Sequence, residues 1–213
     1  MIEVLYVENK DEVPVNCIEL IYNLITDKEK NKSLRYHRWQ DRQAFLLGRL
    51  LLGTLLKKAG HNIELLKSIE YNVFNRPFIP DTRFDFNISH SGDFVICAFS
   101  SSQAIGIDIE QIQTVNFNDF ENILNLLDKR RIGNSEEKLT SFFKIWSAKE
   151  AILKASGCGL VNDIFKLEID EETGVFNETT YYLKYLPLSE SYATCIASTE
   201  PIKMLNIEKM LCK

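Results

Sequence analysis

Three carboxylates and a lysine, shared between two segments, are the residues of this chain best suited by type and spacing to do chemistry. The first segment is Gly106-Ile107-Asp108-Ile109-Glu110; the second is Trp146-Ser147-Ala148-Lys149-Glu150-Ala151-Ile152-Leu153-Lys154. Asp108 and Glu110 sit in an apolar run, 103–112, that reads as a strand, so their side chains leave from one face. Glu150 and Lys154 are four apart in a strongly helical segment and stack on one helix face. Packing that helix on that strand would bring three carboxylates and an ammonium together. Two carboxylates about 4 Å apart repel by about 4 kcal/mol at an effective dielectric near 20, so the cluster needs a cation. Hard oxygen donors without nearby Cys or His favour Mg²⁺, which keeps some waters and accepts phosphate oxygens from a substrate.

The elements that must position these groups follow from periodicity. A strand near 2–7 leads to a helix near 15–26. A longer helix spans 41–58, with Phe45, Leu46, Leu50, Leu52, Leu55 and Leu56 on its buried side and Gly60 as its stop. Strand-like pieces near 67–73 precede a proline-marked loop over 75–81. Residues 84–88 alternate, 94–99 form a buried strand, and 100–103 turn into the carboxylate strand. Helices are expected at 117–128 and 135–156, the second with Asn134 and Glu137 as a capping box and Gly157 as its C-terminal cap. Strands near 164–169, 179–186 and 192–198 complete the chain. The order strand, helices, strands recurs without a sequence repeat, dividing the chain near Ser101 into halves of 1–101 and 102–213.

The 213 residues are 45% hydrophobic, enough to bury a sizeable core. No apolar run approaches the length of a membrane span, and the first residues alternate like a strand instead of forming a leader. Five scattered cysteines without C-x-x-C spacing read as reduced thiols, so a cytoplasmic location is expected. The net charge of −5 is uneven: Lys28 to Lys58 holds nine basic and two acidic residues, or +7, leaving −12 elsewhere. An acidic chain with one basic stretch does not look like a general nucleic-acid binder. That stretch reads either as a solvated helix face or as the grip on one local anionic ligand.

Phe86-Asn87-Ile88-Ser89-His90-Ser91-Gly92 ends a strand in polar groups that could hydrogen-bond phosphate. Each of these features alone is ordinary; their joint order and spacing is not. Phe86 to Ser91, Gly106 to Glu110, Trp146 to Lys154 and Gly157-x-Gly159-Leu160 together resemble the 4′-phosphopantetheinyl transferases. The length resembles the larger, monomeric, two-half type that activates nonribosomal peptide and polyketide synthases. The resemblance is most diagnostic over about 76–160 and weaker from Lys28 to Gly53.

The resemblance implies an α+β fold of two structurally similar halves related by a pseudo-two-fold. Each half would be a small sheet packed with helices, with the active site in the cleft between them. It implies transfer of the phosphopantetheine arm of coenzyme A to a carrier-protein serine, with release of adenosine 3′,5′-bisphosphate. Asp108, Glu110 and Glu150 would hold Mg²⁺, Glu150 would act as base, and Lys154 would stabilise the leaving phosphate. Lys28, Lys32 and Arg42 would grip coenzyme A phosphates, with Arg76, Ser89, His90, Asp108 and Lys154 also contacting that co-substrate.

The chain departs from the family pattern at Cys158, where lysine is frequent, and over 126–131, where Lys129, Arg130 and Arg131 favour an acidic carrier helix. Leu and Phe side chains in 117–127 serve either the carrier or the core. The carrier (fatty-acid, polyketide or peptide) stays open. Two rivals stand beside this reading: a Mg²⁺-dependent hydrolase of a nucleotide or phosphodiester, and a catalytically silent relative that only binds coenzyme A or a carrier.

Overall fold

The computed structural model describes residues 1–159 and 164–211; Leu160 of the Gly-x-Gly-Leu motif and Cys212 lie outside them. The chain forms two compact units, one of residues 1–102 with the tail from Lys203, the other Gln103–Ile202.

The first unit contains β1 (Ile2–Glu8), α1 (Val15–Leu24), α2 (Asp27–Ser33), α3 (Trp39–Lys58), β2 (Glu70–Tyr71), β3 (Pro77–Phe78), β4 (Asp85–Ser91) and β5 (Phe94–Ser100). β5 pairs antiparallel with both β4 and β1. The long helix α3 lies on this sheet because Ala44, Leu47, Leu51, Leu52, Leu55 and Leu56 form its core stripe. They meet Leu5, Val7, Val95, Cys97 and Phe99 from the strands. Each fully buried leucine contributes about 1.5–3 kcal/mol. Phe45 and Leu50, expected on the stripe, are only half-buried, while Leu47 and Leu51 are fully buried.

The second unit contains β6 (Ile105–Gln111), α4 (Leu126–Asn134), α5 (Lys138–Ser156), β7 (Glu168–Ile169), β8 (Thr173–Phe176), β9 (Thr179–Tyr185) and β10 (Tyr192–Ser198). The antiparallel sheet runs β6-β10-β9-β8-β7. Phe142, Ile145, Ala148, Ile152 and Ala155 of α5 pack with Ala193, Cys195 and Ala197 of β10. Gly157 ends α5 at φ +72°, a left-handed cap that favours glycine, and its amide donates to the Leu153 carbonyl at 3.1 Å.

The two units repeat one plan. A first strand is followed by helices and then by a hairpin whose second strand returns antiparallel to the first. In one unit β1 receives β5 from β4–β5; in the other β6 receives β10 from β9–β10. The α+β fold of two similar halves is therefore present.

Several boundaries differ from expectation. The final strand, β11 (Leu205–Lys209), pairs parallel with β1 from Ile2↔Leu205 to Tyr6↔Lys209, so the tail joins the first unit instead of the second. The single helix expected over 117–128 is a short 3-10 turn, Phe117–Phe120, followed by α4. Asn125 and Asp128 form the capping box that starts α4. Asn134 ends that helix, and α5 begins at Lys138 after Glu137 with no side-chain cap. Among the described residues no helix is long and apolar enough to cross a membrane.

Candidate active site

A missing side chain brings strand and helix together. Gly106, Asp108 and Glu110 share the face of β6 that meets α5. A Cβ on Gly106 would fall on the Ala151 carbonyl oxygen and 2.5 Å from the Ala155 nitrogen. Only glycine lets the helix backbone lie against the strand here. Across the strand, Gly106, Asp108 and Glu110 register with Ala197, Cys195 and Ala193, whose small size keeps the face open. Gly106→Ala is expected to cost about 1–3 kcal/mol, because backbone instead of a flexible side-chain tip must give way. At about 2–4 °C per kcal/mol, a thermal melt should fall by several degrees. An unchanged melt would mean that the helix is not seated on this glycine.

With α5 so seated, Trp146, Glu150 and Lys154 follow one another at helical spacing over the strand. Lys154 Nζ donates to Asp108 Oδ1 at 2.6 Å and to the Ile107 carbonyl at 3.3 Å. Trp146 Nε1 donates to Glu110 Oε1 at 3.1 Å, and its ring meets Phe120 edge-on. Glu150 lies one turn from each, half-buried, and its Oε1 has no hydrogen-bond partner among the described residues. Its carboxyl is pushed up to about 7, chiefly by burial. Lys154 opposes that rise, and the charges of Asp108 and Glu110 add to it. The expected convergence of Asp108, Glu110, Glu150 and Lys154 is thus present as an electrostatic cluster.

Among the described residues, no three acidic, His or Cys side chains are already gathered as a metal cage. Lys154 occupies Asp108 and the indole occupies Glu110. The donor set nevertheless fits a hard cation: carboxylate oxygens from one buried and two half-buried side chains, with the Glu150 Oε1 orphaned and held against two like charges.

The remaining candidates belong to the first unit. Lys28 on α2 and Arg42 on α3 are exposed, whereas Lys32 is half-buried against aromatic rings. Arg76 grips Asp85 through Nη2 at 2.7 and 2.9 Å. Ser89 and His90 still belong to β4, where alternation buries Ser89 and exposes His90; the turn comes at Gly92, φ +51°. Arg49, counted in the basic stretch, is a buried partner of Glu29 instead of a surface cation.

Lys149, inside the helical motif, is fully buried and bound to Asp128 at 2.6 Å. Its signal was available, because Phe142, Ile145, Lys149 and Ile152 fall on one apolar stripe. The Trp146 contact carried no comparable signal, since it depends on where α5 crosses β6.

A model of the 4′-phosphopantetheinyl transferase superfamily matches residues 104–197. A second, for the N-terminal region of 4′-phosphopantetheinyl transferases, matches 15–102. Together they cover both units of the duplicated frame and the whole carboxylate cluster. The gsp 4′-phosphopantetheinyl transferase of Aneurinibacillus migulanus is 29% identical, over 99% of this chain and 92% of its own. The Sfp 4′-phosphopantetheinyl transferase of Bacillus subtilis is 28% identical, over 91% of this chain and 92% of its own. A Haemophilus influenzae chain under the same family designation is 34% identical, over 75% of this chain and 69% of its own. The chain belongs to the 4′-phosphopantetheinyl transferase family and is an enzyme of that class.

Proposed function

We propose that this enzyme moves the 4′-phosphopantetheine arm of coenzyme A onto a serine hydroxyl of an apo acyl- or peptidyl-carrier domain. The serine oxygen forms a bond to the β-phosphorus of the pyrophosphate. The bridging P–O bond breaks, and adenosine 3′,5′-bisphosphate leaves with the electron pair. The observation that carries this reading is Glu150, half-buried beside Asp108 and Glu110 with a buried, orphaned oxygen and its carboxyl held near 7.

Asp108, Glu110 and Glu150 would hold Mg²⁺, which when bound supplies positive charge to a diphosphate and aligns it for in-line attack. Glu150 receives the serine proton through a bridging water, the route that suits a carboxylate sharing its oxygens with a cation. Lys154, fixed on Asp108, presents an ammonium where the leaving phosphate gains charge. Lys28, Lys32, Arg42, Arg76, Ser89 and His90 serve the phosphates and nucleotide of coenzyme A.

The test is to incubate the enzyme with coenzyme A, Mg²⁺ and apo carriers of the acyl and peptidyl kinds, then to weigh the intact carriers. One carrier serine should gain the mass of one arm, and a chelator should stop the gain. Release of a nucleotide product from coenzyme A without any carrier would favour a hydrolase. Unchanged transfer under chelation would remove the carboxylates from the chemistry.

A further inference from the structure

Helix α2 has no apolar stripe: its sequence is Asp-Lys-Glu-Lys-Asn-Lys-Ser, and its buried residues are Glu29 and Ser33. Something other than hydrophobic burial must fix it. Glu29 receives Arg49 Nε at 3.0 and 3.1 Å and Arg49 Nη2 at 2.8 Å. Tyr71 closes the triangle, donating its hydroxyl to Glu29 Oε1 at 2.8 Å and accepting from Arg49 Nη2 at 2.7 Å. Both charged side chains are 4% exposed, so each depends on the other for compensation.

Lys32 rises from the same helix, three residues beyond Glu29. Its Nζ lies 4.1 Å from the Tyr71 ring centroid and 5.5 Å from that of Phe45. Under the same Phe45 ring sits the Arg49 guanidinium, at 4.7 Å. Among the described residues Lys32 makes no ion pair; its charge rests on ring faces. Burial, with Arg49 second, holds its ammonium below the ordinary lysine range.

We propose that Tyr71, backed by the Glu29–Arg49 pair, is a positioning residue that holds Lys32 ready to grip the 3′-phosphate of coenzyme A. A surface lysine must surrender much rotamer freedom and hydration when it binds an anion. Lys32, half-buried against two rings, has already given up part of both, and a ring face satisfies a cation without neutralising it, so the charge stays available to a phosphate. The 3′-phosphate is the group suited to such a single point charge, because it stands apart from the pyrophosphate that the reaction cleaves. This rests on coenzyme A being the arm donor, and the experiment separates the two ideas.

Transfer kinetics are measured with coenzyme A and with 3′-dephospho-coenzyme A. Lys32→Ala is expected to raise KM for coenzyme A about tenfold and to leave KM for the dephospho donor within about twofold. Equal change with both donors would remove Lys32 from the 3′-phosphate and end that reading, whatever Tyr71 does. Given the expected result, Tyr71→Leu should raise KM for coenzyme A about fivefold with the same donor selectivity and little change in kcat. Tyr71→Phe keeps the ring and should stay within about twofold of the parent. A Tyr71→Leu enzyme with unchanged KM, or a Tyr71→Phe enzyme as impaired as Tyr71→Leu, overturns the proposal. Should Tyr71→Leu fail to fold, Phe45→Leu removes the other ring; an unchanged donor ratio there overturns it equally.

Discussion

Glu150→Gln is expected to lower arm transfer by about 10²–10⁴-fold, the usual contribution of a positioned acid–base group. In the same protein stripped of divalent ions it should raise thermal stability at pH 8. The two effects share one cause. The Glu150 carboxyl is held at about 7 in the folded chain against an ordinary 4.5, with burial the largest reason. Below about 4.5 the group is protonated whether folded or not and adds no penalty. As pH rises from there toward 7, the unfolded chain releases the proton while the folded chain retains it, and stability drains away. Above 7 the loss is complete, on the order of 3 kcal/mol. Glutamine does not titrate, so the variant should lack this slope. Melting temperatures from pH 4 to 9 in chelator, for parent and variant, test the point; parallel curves would contradict it. Coenzyme A binding, followed by calorimetry, should be largely kept, which separates lost chemistry from lost affinity.

Much of the frame was legible because apolar periodicity reports burial. The α3 and α5 stripes and the strands β5, β6 and β10 all announce themselves this way. What escaped has physical reasons. Helix α2 is wholly polar, so no hydrophobic period marks it; it is held by an ion pair to a residue twenty positions on. Strand β11 is an edge strand of half-buried and exposed residues, and its partner β1 lies at the other end of the chain. Pairing at such separation leaves no local trace. The extra capping box at Asn125 split an expected helix, since a polar cap with good geometry outweighs a continuing apolar pattern.

At the candidate site, the spacing of Asp108 with Glu110 and of Glu150 with Lys154 sufficed to predict which side chains would converge. It did not predict what would hold them before a ligand arrives. Lys154 sits on Asp108, and Trp146 on Glu110, because Gly106 admits the helix at one particular height along the strand. That height is a packing result, invisible in either segment alone. The basic stretch divides in the same manner: Arg49 is structural, Lys32 lies on aromatic faces, and Lys28 and Arg42 face solvent.

Lys149 shows how a motif can mix chemistry with architecture, and its removal should be among the most damaging single changes. The ammonium spends its three hydrogens on Asp128 at 2.6 Å, the Ile123 carbonyl at 3.1 Å and the Ile164 carbonyl at 3.3 Å. It thereby ties α4, the Ile123 segment ahead of it and the Ile164 turn to the helix that carries Glu150. Burial holds the ammonium below the ordinary lysine range, and Asp128 opposes that fall. Asp128 in turn accepts the Asn125 amide at 3.0 Å through the same oxygen. Lys149→Met should therefore strand a buried carboxylate at a cost of about 3–5 kcal/mol. At about 2–4 °C per kcal/mol, the melting temperature should drop by about 6–20 °C. Adding Asp128→Asn, which removes the stranded charge and keeps an oxygen for the Asn125 amide, should recover most of that loss. Thermal melts of the two single variants and the double close the cycle. Additive losses would mean that the pair is not coupled, and that the stability of this helix comes from its apolar stripe alone.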